Sequence, residues 1–162
     1  MSYVLIFRPH LALTAGVSCF NQVLSSYYHN SNITKEILLS AAKKHGSIAK
    51  SCPVDVAKAE EVFKTFELAS KSVRYPLRGL ATFAGISGEA PAIEYQEATA
   101  RKIFDINYFG SLFCAQAAAR CFQANNIPGS IVLVASMSGS IANKVSVSTY
   151  TLVIPPKILI PG

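Results

Sequence analysis

Charge is scarce in this 162-residue chain: Asp, Glu, Lys and Arg make up 15%, against 51% hydrophobic residues and a mean hydropathy of +0.33. That balance excludes a disordered chain and a solvated coiled coil. Acidic residues are the scarcer sign, nine against fifteen basic, giving a formal charge of +6. The excess forms no patch, since the basic residues are spread from Arg8 to Lys157. The densest pair, Lys43 and Lys44, falls near a predicted helix end, where cations suit the macrodipole. A nucleic-acid partner is therefore not expected. The four cysteines, Cys19, Cys52, Cys114 and Cys121, lack any C-x-x-C spacing, and the three histidines stand away from them. Neither a disulfide framework nor a metal site is predicted, and reduced thiols suit a cytoplasmic protein. The apolar start is broken by Arg8, Pro9 and His10, so neither a membrane span nor a secretory leader is expected there. No internal repeat or low-complexity linker interrupts the chain.

What remains is one domain's worth of sequence, 17.4 kDa, with enough apolar residues for a real core. Short apolar runs alternate with helical periodicity. Residues 3–7 (YVLIF) and 23–28 read as strands, and a helix over 33–46 is capped by Asn32 or Thr34 and stopped at Gly46. Residues 47–52 are a weaker strand. Val56, Val62, Phe63, Phe66 and Ala69 mark the buried stripe of a second helix that must end before Pro76. Leu80 to Phe83 is a strand, 97–124 a long helix with NNIPG as its exit, and 131–135 (IVLVA) a continuous apolar strand. Strands joined by helices in this way predict an α/β fold with a parallel sheet covered on both faces. Ligands in such folds sit at the carboxyl ends of strands, so attention falls on Asp55, on 84–88 and on 136–140.

Four stretches, CPVDV, ATFAGISG, DINYFGSLFCAQAAAR and GSIVLVASMSGSIAN, fall in an order and spacing that resemble the short-chain dehydrogenases and reductases over about residues 27–150. The resemblance implies a three-layer, Rossmann-like, doubly wound parallel sheet forming a single domain. It is incomplete here, with atypical ends at 1–22 and 151–162. The ASMSGSIAN run looks like fungal polyol dehydrogenases and ketose reductases. The implied reaction interconverts a secondary alcohol and a ketone, with a sugar alcohol or ketose as small-molecule substrate and NADP or NAD as cofactor. The absence of an acidic residue in YYHN, at the end of the 23–28 strand, favours NADP. Family members are usually homo-oligomers.

The family's roles pass residue by residue. Asp55 would accept a hydrogen bond from the adenine amino group, or serve only as a helix N-cap. Ala84 and Gly85 would let the backbone approach the cofactor ribose, or merely form a tight turn. Thr82 and Phe83 replace two asparagines that commonly brace the neighbouring strand. Asn107 would hold a water in a proton relay; its plainer reading is a local back-bond or exposure within the helix. Gly110, costly in a helix, predicts close packing against a backbone or ligand. Ser136 would bond the substrate carbonyl, and Tyr150, fourteen residues on, would donate its phenolic proton.

Two departures weigh against activity. The family's lysine, one helical turn after the tyrosine, is matched by Ile154, and Pro155 and Pro156 forbid the helix that would return Lys157 to the site. The sequence also contains no T-G-x-x-x-G-x-G turn to bind a pyrophosphate. The alternative expectation is an inactive reductase fragment, cut short at both ends, that acts only by binding a partner.

Overall fold

In a computed structural model the described residues are 2–5, 40, 51–73, 76–88 and 90–135. They fall in two units, one ending at Val54 and the other beginning at Asp55, each taken by itself below. The predicted strand at 23–28 and nearly all of the predicted helix at 33–46 lie outside the described residues.

In the first unit, β1 (Ser2–Leu5) pairs antiparallel with β2 (Ser51–Val54), Ser2 opposite Val54 and Leu5 opposite Ser51. Both strands are shifted from their predicted positions, and the direction differs from the all-parallel expectation. A 45-residue connection imposes no direction on the pair, so the helical-crossover argument that fixes parallel strands elsewhere has no hold here. β2 also runs through Pro53, where the apolar pattern ended. Proline lacks an N–H, but a strand with a free edge loses nothing if that position faces outward.

The second unit begins with a turn built by Asp55. Its Oδ1 accepts from the Ala57 N–H (3.2 Å) and its carbonyl from the Lys58 N–H (3.1 Å). This is the local side-chain bonding that makes Asp a turn former. The turn delays α1 to Ala59–Lys71, leaving Val56 outside the helix although buried. Val62, Phe66 and Ala69 form the helix's buried stripe, Glu60 and Glu61 sit at its positive end, and Lys71 at its negative end.

β3 (Gly79–Thr82) and β4 (Ser130–Leu133) are parallel neighbours, with Leu80 opposite Ile131 and Thr82 opposite Leu133. The crossover between them holds a 3-10 turn (Ala92–Glu94) and then a long helical run from Glu97 to Ala124, the predicted bounds. That run has three parts. α2 (Glu97–Phe104) passes into a π-helical turn (Asp105–Phe109) and then into α3 (Gly110–Ala124).

α3 packs on β3, β4 and α1, burying Cys114, Ala117, Ala118 and Phe122. Its alanines keep the surface flat enough for close approach, while the Arg120 guanidinium lies 4.2 Å from the Phe63 ring centre of α1. The NNIPG exit is a Schellman cap. Asn126 takes φ 50°, its N–H bonds the Gln123 carbonyl (3.0 Å), and the Ile127 N–H bonds that of Phe122 (3.1 Å). Among the described residues no helix is long and apolar enough to cross a membrane, and no three potential ligands gather around a metal position.

Candidate functional site

The π turn carries Asn107 and adjoins the loop that holds Ala84 and Gly85. An α-helix closes i to i+4 bonds, but here the Gly110 N–H reaches back to the carbonyl of Asp105, five residues away. One such turn widens the helix and re-aims the side chains it carries, and π turns of this kind often mark functional sites. Asn107 lies at its centre.

Asn107 bonds neither to its own helix nor to solvent alone. Its Oδ1 accepts from the Ile86 N–H and its Nδ2 donates to the Ile86 carbonyl, both at 2.9 Å. The side-chain amide thus satisfies both main-chain groups of one residue in the loop that follows β3, twenty-one residues earlier. Of the two uses read from the sequence, the local back-bond is corrected: the bonds are long-range and brace the loop. The Asn107 main-chain carbonyl accepts a third bond, from the buried Ser111 hydroxyl at 2.8 Å.

Ala84 and Gly85 are half-buried in that loop. A Cβ on Gly85 would lie 3.4 Å from Asn107 Oδ1, so the backbone at Gly85 runs directly beside the Asn107 amide. Thr82, at the end of β3, is buried, and its Oγ1 has no hydrogen-bond partner. The sequence departure noted there has a physical counterpart, since no side-chain bond from Thr82 braces the strand.

Asp55 reaches the same junction from the other side. A Cβ on Gly110 would come within 2.8 Å of Val56 Cγ2 and 3.3 Å of the Val56 carbonyl oxygen. The close backbone approach expected at Gly110 is therefore to the residue after Asp55. The Asp55 turn and the Ala84–Gly88 loop are thus tied to the two ends of one short segment, Asn107 to Gly110.

The Asp55 carboxylate is 47% exposed, with Lys58 Nζ 3.5 Å from Oδ2. Glu61 first, by its hydrogen bond, and then Asp55 hold the Lys58 ammonium above its usual range. The N-cap reading of Asp55 is corrected in detail: α1 is capped at Lys58, and Asp55 organises the turn before it.

Ser136 follows Ala135 directly, but it and Tyr150 lie outside the described residues. Sequence reasoning missed Tyr95, whose hydroxyl bonds the Gly88 carbonyl at 3.0 Å. An aromatic residue set in the polar stretch EYQE was the available signal.

Comparison with known proteins bears on the family and the fold. The pattern of the short chain dehydrogenase family matches residues 21–151. A short chain dehydrogenase/reductase of Aspergillus versicolor, notP', is 40% identical over 105 residues, covering 65% of this chain and 36% of its own. An NADH-dependent L-xylulose reductase of Ambrosiozyma monospora is 35% identical over 112 residues, 68% of this chain and 39% of its own. A D-arabinitol 2-dehydrogenase (ribulose-forming) of Candida tropicalis is 38% identical over 95 residues, 59% and 33% respectively. The chain therefore spans about a third of the length of these relatives. Among solved structures, a short-chain type dehydrogenase/reductase from Mycobacterium marinum superposes with a TM-score of 0.67 at 23% identity, over 75% of this chain and 48% of that one. That likeness is one of fold. ElxO with NADP bound gives 0.54 at 26% identity, over 60% and 38%. Together with the parallel β3–β4 pair and its helical crossover, these matches establish a Rossmann-like α/β fold, and the chain belongs to the short-chain dehydrogenase family.

Proposed function

We propose that this chain carries the cofactor-facing half of an oxidoreductase that interconverts a secondary alcohol and a ketone with NADP or NAD, the substrate being a sugar alcohol or ketose. The observation that carries the reading is the Asn107 clamp on Ile86, which fixes the loop after β3 at the carboxyl end of a parallel strand, where ligands bind in this architecture. The names of the xylulose and arabinitol relatives support the substrate class.

The described residues fit the adenine and ribose parts of a dinucleotide. Asp55 offers exposed carboxylate acceptors to an adenine amino group, and Ala84 and Gly85 present backbone with little side chain in the way of a ribose. The cofactor supplies hydride chemistry when bound. This chain's own part is to bind, orient and move a proton. Asn107 keeps the loop and the π turn in register; Ser136 bonds the substrate carbonyl and shares its developing charge; Tyr150 gives up its phenolic proton to the same oxygen. A phenol titrates at about 10, and position 154, where the resemblance places the lysine that lowers that value, holds Ile.

Ile154 and the missing glycine-rich turn favour a second reading, a catalytically silent chain that keeps part of the nucleotide site and works by binding. Titrating the purified chain with NADPH and with NADH, by cofactor fluorescence, tests the shared half of both readings. Adding pentuloses and following cofactor oxidation separates them. Saturable binding with turnover supports the enzyme, saturable binding without turnover supports the silent chain, and no binding of either cofactor by a folded chain refutes the proposal.

A further inference from the structure

We propose that Tyr95 is a positioning residue: through the Gly88 carbonyl it fixes the far end of the Ala84–Gly88 loop, as Asn107 fixes its middle, and so holds the loop ready before a ligand arrives. The ligand in this statement rests on the nicotinamide-cofactor reading above; the fixing of the loop does not.

Two observations meet at Gly88. The Tyr95 hydroxyl donates to the Gly88 carbonyl at 3.0 Å. A Cβ built on Gly88 would stand 2.9 Å from that hydroxyl oxygen and 3.1 Å from both Ile103 Cδ1 and Thr99 Cγ2. The end of the loop therefore sits in a socket of three side chains, one of them the fully buried Ile103. The chain returns to make this socket through the Ala92–Glu94 turn, closed by the Glu94 N–H on the Pro91 carbonyl at 2.9 Å. Beyond it the Gln96 side chain bonds the Glu94 carbonyl at 3.3 Å.

Ile86 and Gly88 are two residues apart, and each is held by a side chain from the crossover, Asn107 near its middle and Tyr95 at its start. Between the two anchors only Ser87 is left with both neighbours pinned, so few backbone rotations remain to be frozen on binding. A site that is already ordered spends less of its interaction on ordering itself.

The test uses the full 162-residue chain with Tyr95→Phe, Gly88→Ala and the double variant, read by amide hydrogen exchange. Tyr95→Phe keeps the ring and removes the hydroxyl. Exchange of the Ile86 amide should rise about fivefold, the factor one net hydrogen bond is worth, while Ala118 in α3 stays unchanged. Gly88→Ala displaces the hydroxyl from the other side, so it should accelerate Ile86 in the same way and add less in the Tyr95→Phe background. No change at Ile86, equal acceleration at Ala118, or full additivity of the two substitutions would each overturn the proposal. Titration of the same proteins with NADPH and NADH gives the functional arm. If the unaltered chain binds, Tyr95→Phe should weaken affinity about fivefold, and an unchanged affinity refutes the positioning role. If the unaltered chain binds neither cofactor, the cofactor reading falls, and the exchange data still decide what Tyr95 does to the loop.

Discussion

Gly110→Ala sets two effects of known sign against each other. Alanine is the better helix former, by about 1 kcal/mol over glycine in a helix interior. Against that, the new methyl would sit 2.8 Å from Val56 Cγ2, 3.0 Å from its Cβ and 3.3 Å from its carbonyl oxygen. Carbon atoms are comfortable at roughly 3.5–4.0 Å, so all three contacts are too close. Val56 cannot swing aside cheaply. It is 3% exposed, it is β-branched, and its backbone lies inside the turn closed by the Lys58 N–H on the Asp55 carbonyl. Overpacking of this kind costs about 1–3 kcal/mol, so against the propensity gain Gly110→Ala should lower stability by up to about 2 kcal/mol. Urea unfolding followed by circular dichroism measures the loss. Repeating the substitution in a Val56→Ala background removes the tightest contact, so there Gly110→Ala should cost nothing or stabilise, with a coupling of at least about 1 kcal/mol between the two sites. A chain stabilised by Gly110→Ala alone, or strictly additive effects, would show that α3 does not press on the Asp55 turn.

Four further substitutions or titrations probe the second unit. Asn107→Ala strips the Ile86 N–H and carbonyl of their Asn107 bonds and should destabilise by about 2–4 kcal/mol, whereas a loss below about 0.5 kcal/mol would mean water replaces the amide freely. Asn107→Asp keeps the acceptor but turns a carboxylate oxygen towards the Ile86 carbonyl; its carboxyl pKa should be raised, so stability should recover as pH falls through the carboxylate range, and a flat pH profile would contradict the clamp. Thr82→Val removes a buried hydroxyl without a partner at nearly constant volume, and should raise stability by about 1 kcal/mol; destabilisation would reveal a bond to Oγ1. Burial pushes the Cys114 thiol up to about 11. The unfolded thiol ionises near 9 while the folded one keeps its proton, so the Cys114 contribution to stability is constant below pH 9 and falls between about 9 and 11. At pH 8 a disulfide reagent should label Cys114 more slowly than Cys52 or Cys121, and equal rates would place it at the surface.

The parts of the fold that were legible are those with a strong local signal. The long helix kept its bounds because its alanine-rich buried face and the NNIPG exit are both written in consecutive residues. The β3–β4 pair followed from a continuous apolar run and from the helix that joins the two strands, the kind of connection a parallel pair needs. Gly110 announced a close approach through its cost in a helix, although nothing in the sequence named Val56 as the neighbour. What stayed hidden involved pairings at a distance. The direction of β1 against β2 depends on a connection that imposes none, and the late start of α1 depends on one Asp side chain capturing the Ala57 N–H before the helix begins.

Asn107 shows why site residues are harder to read than elements. Its presence inside a helix signalled that the side chain must bond something, and propensity alone carried that far. Its partner is a main-chain amide and carbonyl, which every residue possesses and no sequence pattern distinguishes. In the π turn that aims it there the bonding shifts by one residue, the Gly110 N–H reaching the Asp105 carbonyl, with no proline to mark it. Gly110 supplies the one physical cause visible in the chain. By letting Val56 press against the first turn of α3, it fixes that helix close to the Asp55 turn, and a one-residue widening just before it lets Asn107 reach the loop on the other side. The same glycine thus links the two predicted cofactor contacts, which is why its substitution is the sharpest test of whether they belong to one site.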